Sequence, residues 1–381
     1  MRTPEPRYHA LDSLRAVMML LGIYLHVVVA YSNTGGWPYK QQELTSALNW
    51  TLGFIHLFRM PVFYVMAGFL GALLYGKREM RGWLDNRFHR VVIPFVGGWL
   101  VLFPLVLFLT AIGKAGWRQA VGFMVTGEFL RYAHPMHLWF LEYLALLYAL
   151  AVVALRAVPP LPAAERWFRA CAASPFAPLV FAVPSFVALL PMRYAGLEDP
   201  PGFVPVVRIV AAYVVPFTFG WLLYGQRDLL EAFARRAWAY LALSLAPLTL
   251  YLGFVKFAVP KMVSFYADRA LHSLALWLLI YGFIGVFQRY LNGESPRMRY
   301  LSDSAYFLYL AHMPVIVALQ LAVGHLPWPP LVKIPVVLAL ATVALVPMYH
   351  YLVRPTFLGA ALNGRRYPIG RQREEIVAVA T

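Results

Sequence analysis

The stretch from Leu11 to Tyr31, LDSLRAVMMLLGIYLHVVVAY, decides the fold class. It is long and apolar enough to cross a bilayer, which takes about 20 residues of helix. It is too long for a signal-peptide core and lacks a small-residue cleavage site, so it reads as a retained membrane helix. Yet Asp12, Arg15 and His26 lie within it. An ionised side chain at mid-membrane costs upward of roughly 2.5–3.5 kcal/mol, so such residues are normally paired or line a watery cavity. Arg15 and His26 are separated by close to three helical turns, or about 16 Å of rise, and therefore share one face.

The rest of the chain repeats the pattern. Of 381 residues, 61% are hydrophobic and 13% charged, with a mean hydropathy of +0.63. Soluble domains are about 25% charged. The formal net charge is +16, but the basic residues fall in short runs between apolar blocks. That arrangement belongs to loops at a membrane surface and argues against a nucleic-acid groove. A single cysteine, Cys171, excludes an intrachain disulfide and any CxxC metal or redox motif.

Apolar blocks at about 11–31, 48–75, 91–112, 136–156, 174–192, 205–225, 237–257, 270–290, 301–323 and 331–353 predict an all-α integral membrane protein of about ten spans in one bundle. With the N-terminus placed inside, twenty-one of the 33 Lys and Arg residues fall on inner segments and nine on outer ones, which predicts both termini in the cytoplasm. Residues 1–360 then form one membrane domain and 361–381 a short basic tail. The amphipathic stretch 113–135 is expected to lie along the outer face as an interfacial helix.

Further polar residues stand inside apolar blocks. In FIHLFRMPVFYVMAGF, Phe54 to Phe69, His56 and Arg59 share a helix face, and Arg59 is too far from either end to snorkel. In RFHRVVIP, Arg87 and Arg90 are one turn apart; they read as a phosphate clamp or as ordinary positive-inside charge. HPMHLWFLEYLALLY, His134 to Tyr148, sets His137 and Trp139 at the outer interface and Glu142 deeper, where it is a candidate partner for Arg59. In LSDSAYFLYLAHMPV, Leu301 to Val315, Ser302, Asp303 and Ser304 resemble a helix N-cap, and Tyr309 and His312 are three apart ahead of Pro314. His26 has two readings, a general base or a core ring bonded to a backbone carbonyl, and His312 reads as a functional group or as part of a kink-associated hydrogen bond. Arg15 likewise reads as a ligand-facing cation or as a snorkelling or capping residue near the inner interface, paired with Asp12 one turn earlier. No G-x-S-x-G elbow, P-loop, GxGxxG, HExxH or DxD motif is present.

Taken in order, Arg15 to His26, the FRMPVF segment, R-x-x-R-x-x-x-P, HLWFL and S-x-F-L-Y-L-x-H-x-P resemble the membrane-bound acyltransferase 3 family over most of the chain. Where many members have W-S-L-x-x-E, this chain has Trp139-Phe140-Leu141-Glu142. The first, second and fourth of these segments are most similar to the branch that adds succinyl groups to periplasmic glucans. The resemblance implies a multi-pass protein of the bacterial inner membrane that moves an acyl group, most readily succinyl, from cytoplasmic acyl-CoA to a sugar hydroxyl outside. His26 would be the general base or a transient acyl carrier, Arg15 would orient the donor, and Arg59 would join them in catalysis. Asp12, His56, Arg87, Arg90, His137, Trp139, Glu142, Tyr309 and His312 would bind substrate. Acyl-CoA would be a substrate, with no resident cofactor or metal. The expected partners are the bilayer, acyl-CoA, the polysaccharide and other glucan-synthesis proteins, with no nucleic acid. No SGNH-type domain follows the last helix, so the chain is expected to finish the transfer itself or pass the acyl group to a partner. Two rival readings are an O-acetyltransferase for another surface polysaccharide and a transporter for an anionic solute. A transporter would be expected to show an internal repeat, and none is evident.

Overall fold

The computed structural model describes residues 8–32, 37–41, 46–254, 260–363 and 366–367. Arg2, Arg7, Lys256, Arg365, Arg371 and Arg373 lie outside them, as does most of the 361–381 tail. Fourteen α-helices follow one another: α1 (His9–Val29), α2 (Ser46–Tyr75), α3 (Met80–Arg87), α4 (Ile93–Ala115), α5 (Trp117–Val125), α6 (Trp139–Ala157), α7 (Pro162–Ala173), α8 (Ala177–Leu189), α9 (Val207–Gly225), α10 (Leu229–Thr249), α11 (Lys261–Tyr290), α12 (Pro296–Gly324), α13 (Pro330–Pro347) and α14 (Phe357–Asn363). No strand occurs among the described residues.

Ten spans are expected; among the described residues eight helices are long and apolar enough to cross a membrane by length and composition, or nine if the bent pair α7–α8 counts as one. The 174–192 block folds as the 13-residue α8, meeting α7 at 116°. At 1.5 Å per residue it falls short of a hydrocarbon core of about 30 Å. Residues 237–249 of the 237–257 block belong to α10, which starts earlier and carries Glu231, Arg235 and Arg236 in its first turns; residues 255–257 lie outside the described residues. α10 nonetheless runs antiparallel along the spanning helix α11: Phe233 faces Gly285 and Leu241 faces Gly282. The 113–135 stretch forms α5 and a 3₁₀ turn, Glu128–Tyr132.

Burial sorts the helices. In α2 and α11, 72% of the apolar window is enclosed by protein, against 22% in the helix that includes α4. α2 and α11 form the centre, while α4 exposes Leu100 and Val101 as a lipid-facing surface would. Glycine allows the closest contact: a Cβ at Gly220 in α9 would fall on the Val65 carbonyl oxygen in α2, and one at Gly68 on the Phe217 carbonyl. Small residues bring helix backbones together in this way where there is no hydrophobic drive between helices. Gly220→Ala should push α2 and α9 apart. It is expected to destabilise the protein by about 1–3 kcal/mol, read as a lower unfolding temperature in detergent; an unchanged midpoint would contradict that packing.

Candidate active site

The two polar residues of α1 open into different cavities. His26 lines one of about 340 Å³, together with His56, Arg59, His137, Tyr309 and His312. Arg15 lines another of about 550 Å³, together with Lys77, Arg78, Arg87, Arg90 and Ser302. Met19, Phe63 and Phe140 line both, forming an apolar constriction between them. The histidine cavity reaches the end of the bundle that carries Trp37 and the α8–α9 loop, where Asp199 is exposed. The basic cavity reaches the opposite end, at the exposed α2–α3 turn of Lys77 and Arg78 and at α14.

Two prolines shape these walls. Pro314 has no N–H, so the Leu310 carbonyl one turn earlier loses its helical donor. His137 fills the gap, with Nε2 3.2 Å from that carbonyl oxygen. Pro94 likewise frees the Arg90 carbonyl, which accepts from the Tyr306 hydroxyl at 2.7 Å. Here the helix widens into a π turn, Phe88–Val92. Arg87 donates to the Tyr148 hydroxyl (3.1 Å) and to Asn86 (2.9 Å), and Arg90 to the Leu362 carbonyl (3.0 Å). The two arginines thus line the basic cavity from separate anchors.

The hydrogen bonds of the histidine cavity assign its tautomers. His312 Nδ1 lies 2.7 Å from the Tyr309 carbonyl oxygen and 3.1 Å from that of Leu308, so Nδ1 carries the proton. In the neutral ring, Nε2 is then an acceptor. It sits 2.6 Å from His26 Nδ1, which must donate. His26 is left with its lone pair on Nε2. The two rings lie within 2° of parallel with centroids 4.9 Å apart. That separation is the N···N distance plus two ring radii, so they meet edge to edge in one plane rather than stacking. Trp37 covers one face of His26, with centroids 5.3 Å apart, and its indole N–H donates to Gln320 Oε1 at 2.8 Å. Gln320 in turn donates to the His26 and Val27 carbonyls at 3.2 and 3.1 Å, tying α12 to α1. Four histidines line this cavity, yet among the described residues no group of His, Cys, Asp or Glu is arranged to hold a metal ion.

Arg59 enters the same cavity beside Gly22, where a Cβ would fall on its Nη1. Among the described residues its Nε is buried without a partner, and Nη2 reaches only Met60 Sδ at 3.5 Å. The pairing with Glu142 is not formed: Glu142 Oε2 is buried with no hydrogen-bond partner and lines neither cavity. Arg59 is therefore a desolvated cation with unused donors in an open space, an arrangement stabilised by an anion.

The remaining sequence candidates divide as follows. Arg15 pairs with Asp12 (3.2 Å) and donates to Ser302 Oγ (2.7 Å) while still lining the basic cavity. His137 and Trp139 are buried in the cavity wall. Tyr309 donates to the His137 carbonyl at 2.8 Å. Ser302, Asp303 and Ser304 lie inside α12, whose N-cap is Ser295. Trp37, Gln320, Gly22 and Asp199 were not legible as site residues. Trp37 and Asp199 come from connecting segments without periodicity, Gly22 resembles any small helix residue, and only Gln320, polar in an apolar run, left a signal.

A family model described as an acyltransferase domain, of the acyltransferase 3 type, matches residues 8–350. Glucans biosynthesis protein C of Salmonella gallinarum (strain 287/91 / NCTC 13346) is 26% identical over 323 residues, covering 82% of this chain and 83% of that protein. The proteins of the same name from Salmonella paratyphi B (strain ATCC BAA-1250 / SPB7) and Salmonella enteritidis PT4 (strain P125109) align with the same identity and coverage. No solved structure matches.

Proposed function

Because the chain belongs to the acyltransferase 3 family, we propose that it transfers an acyl group, most readily succinyl, from acyl-CoA to a sugar hydroxyl of a periplasmic glucan. The observation that carries this reading is the pair of cavities meeting at Met19, Phe63 and Phe140, one basic and one lined by histidines. The names of the relatives supply the glucan.

In this reading both termini face the cytoplasm of a bacterial inner membrane, and the basic cavity opens to that side. Arg15, Arg87 and Arg90 hold the phosphates of CoA, whose charge matches theirs. The pantetheine arm threads the apolar constriction and carries the thioester about 16 Å along α1, from Arg15 to His26. The acceptor hydroxyl arrives from the opposite end. His26 Nε2 takes its proton as the oxygen attacks the thioester carbon. The C–O bond forms, the C–S bond breaks, and His26 returns the proton to the departing sulfur. His312 keeps Nδ1 of His26 protonated, so Nε2 is always the basic nitrogen; its two carbonyl contacts stabilise the charge that His26 acquires. The same bare nitrogen serves if His26 carries the acyl group transiently. Arg59 holds the free carboxylate of the succinyl group.

The test is transfer by purified protein in proteoliposomes, with labelled succinyl-CoA and acetyl-CoA offered in parallel to a β-glucan. Succinyl transfer is expected. Arg59→Gln should lower it about tenfold more than it lowers any acetyl transfer, as expected for a lost charge-assisted contact. Equal losses would remove the carboxylate role. Acetyl transfer alone would keep the acyltransferase and discard the succinyl donor. No transfer and no CoA binding by folded protein would sink the reading in favour of a transporter.

A further inference from the structure

The histidine cavity contains one acidic side chain among the described residues that line it, Asp199. It belongs to no helix and comes from the α8–α9 loop, residues 190–206, yet that loop is held from several directions. Arg269, buried in α11, donates to the carbonyls of Leu189 (3.0 Å), Met192 (2.7 Å) and Tyr194 (3.3 Å). Gly196 is packed against His272 and the Tyr251 hydroxyl, where a Cβ would stand 3.1 Å from each. Glu198, the neighbour of Asp199, is buried. It accepts from Arg208 at 2.8 Å and from the Arg193 amide. Burial raises the affinity of the Glu198 carboxyl for a proton, but the Arg208 contact and the backbone amides of Arg193 and Tyr194 together outweigh it and hold the group below the usual carboxylate range. Glu198 is thus a fixed anion that anchors the residue beside it.

Asp199 itself is exposed while lining the cavity, which places it at the mouth. It shares the cavity with His56 and Arg59, yet among the described residues no cation forms an ion pair with it. A carboxylate so placed, at the end of the bundle away from the cationic cavity, repels an anionic donor and accepts hydrogen bonds from hydroxyls. Trp37 and Trp139 line the same space and offer flat apolar walls.

We propose that Asp199 is the acceptor-positioning residue of this site, accepting hydrogen bonds from neighbouring hydroxyls of an uncharged polyhydroxyl acceptor as it enters toward His26. The pinned α8–α9 loop is then the acceptor-side wall of the cavity, with Glu198 and Arg208 setting its position. This assignment rests on the acyltransferase reading for its chemistry.

Two measurements on full-length purified protein separate the two ideas. One is equilibrium binding of a labelled neutral β-glucan oligosaccharide without donor. The other is acyl transfer with the acceptor and donor varied in turn. Asp199→Asn is expected to weaken oligosaccharide binding and to raise the acceptor KM about tenfold each, as for one lost hydrogen bond to a charged group. The donor KM and kcat at saturating acceptor should change by no more than about twofold. Asp199→Glu, which restores the carboxylate, should recover part of the binding. Unchanged acceptor binding and KM in Asp199→Asn, or a fall in kcat with KM unchanged, overturns the assignment. So does a glutamate variant no better than the asparagine one. Wild-type protein that binds the oligosaccharide through Asp199 but transfers no acyl group overturns the acyltransferase reading and leaves the Asp199 subsite standing.

Discussion

Replacing His26 by alanine is expected to lower kcat for acyl transfer by about 10²–10⁴, the range supplied by a positioned general base. Donor KM should stay near the wild-type value, because the cationic cavity lies about 16 Å away along α1 and keeps Arg15. His312→Ala should reduce kcat less, since the imidazole of His26 remains but loses the acceptor that fixes its tautomer. Steady-state kinetics with donor and acceptor varied separately checks both, with thermal stability in detergent as the folding control. A His26→Ala enzyme with wild-type turnover would remove His26 from the chemistry. Equal rises of both KM values without a change in kcat would make it a binding residue instead.

The second large effect concerns the donor. Arg87→Gln combined with Arg90→Gln is expected to raise the acyl-CoA KM about 10²-fold. Each charge-assisted contact is worth roughly 1.5–3 kcal/mol, and contacts to one ligand are less than additive. kcat at saturating donor should hold. Both arginines also make bonds within the protein, to Tyr148 and to the Leu362 carbonyl, so the lysine double variant is the informative control. It keeps the charge and loses the planar fork, and it should fall between wild type and glutamine. A glutamine variant with unchanged donor KM would mean that the pair serves only as positive-inside charge. The salt dependence of donor KM offers a second check, because removing two cations should flatten it.

Parts of this site are legible in the sequence alone. The 61% hydrophobic composition and the 20-residue apolar blocks imply a helical membrane protein, since only helices and closed barrels satisfy backbone polar groups in lipid. The spacing of Arg15 and His26 puts both on one face of α1, because helical period is a property of the segment alone. The same logic marks Arg59 as a cation that cannot snorkel, and His312 as a polar residue in an apolar run. Span count is less legible. α8 and α10 are apolar by composition, but the first is too short and the second begins with charge, so whether each crosses a membrane depends on what it packs against.

What only the tertiary structure decided is which of those residues meet, and through which atoms. His26 and His312 are 286 positions apart, and nothing local foretells a 2.6 Å contact between them or the tautomer it imposes. The frustrated carbonyls follow the same rule. Sequence identifies Pro94 and Pro314 as residues without an N–H, but not that Tyr306 and His137 would supply the missing donors. The expected Glu142–Arg59 pair failed for this reason: charge complementarity names possible partners, while helix packing selects among them. Asp199 shows the limit most plainly. It sits in a loop with no period to read, and it joins the site because Arg269, Gly196 and the Glu198–Arg208 pair hold that loop against the bundle. Periodicity and composition act within a segment, so they determine solvent and face. Contacts between segments depend on close packing across the whole fold, so they assemble the site.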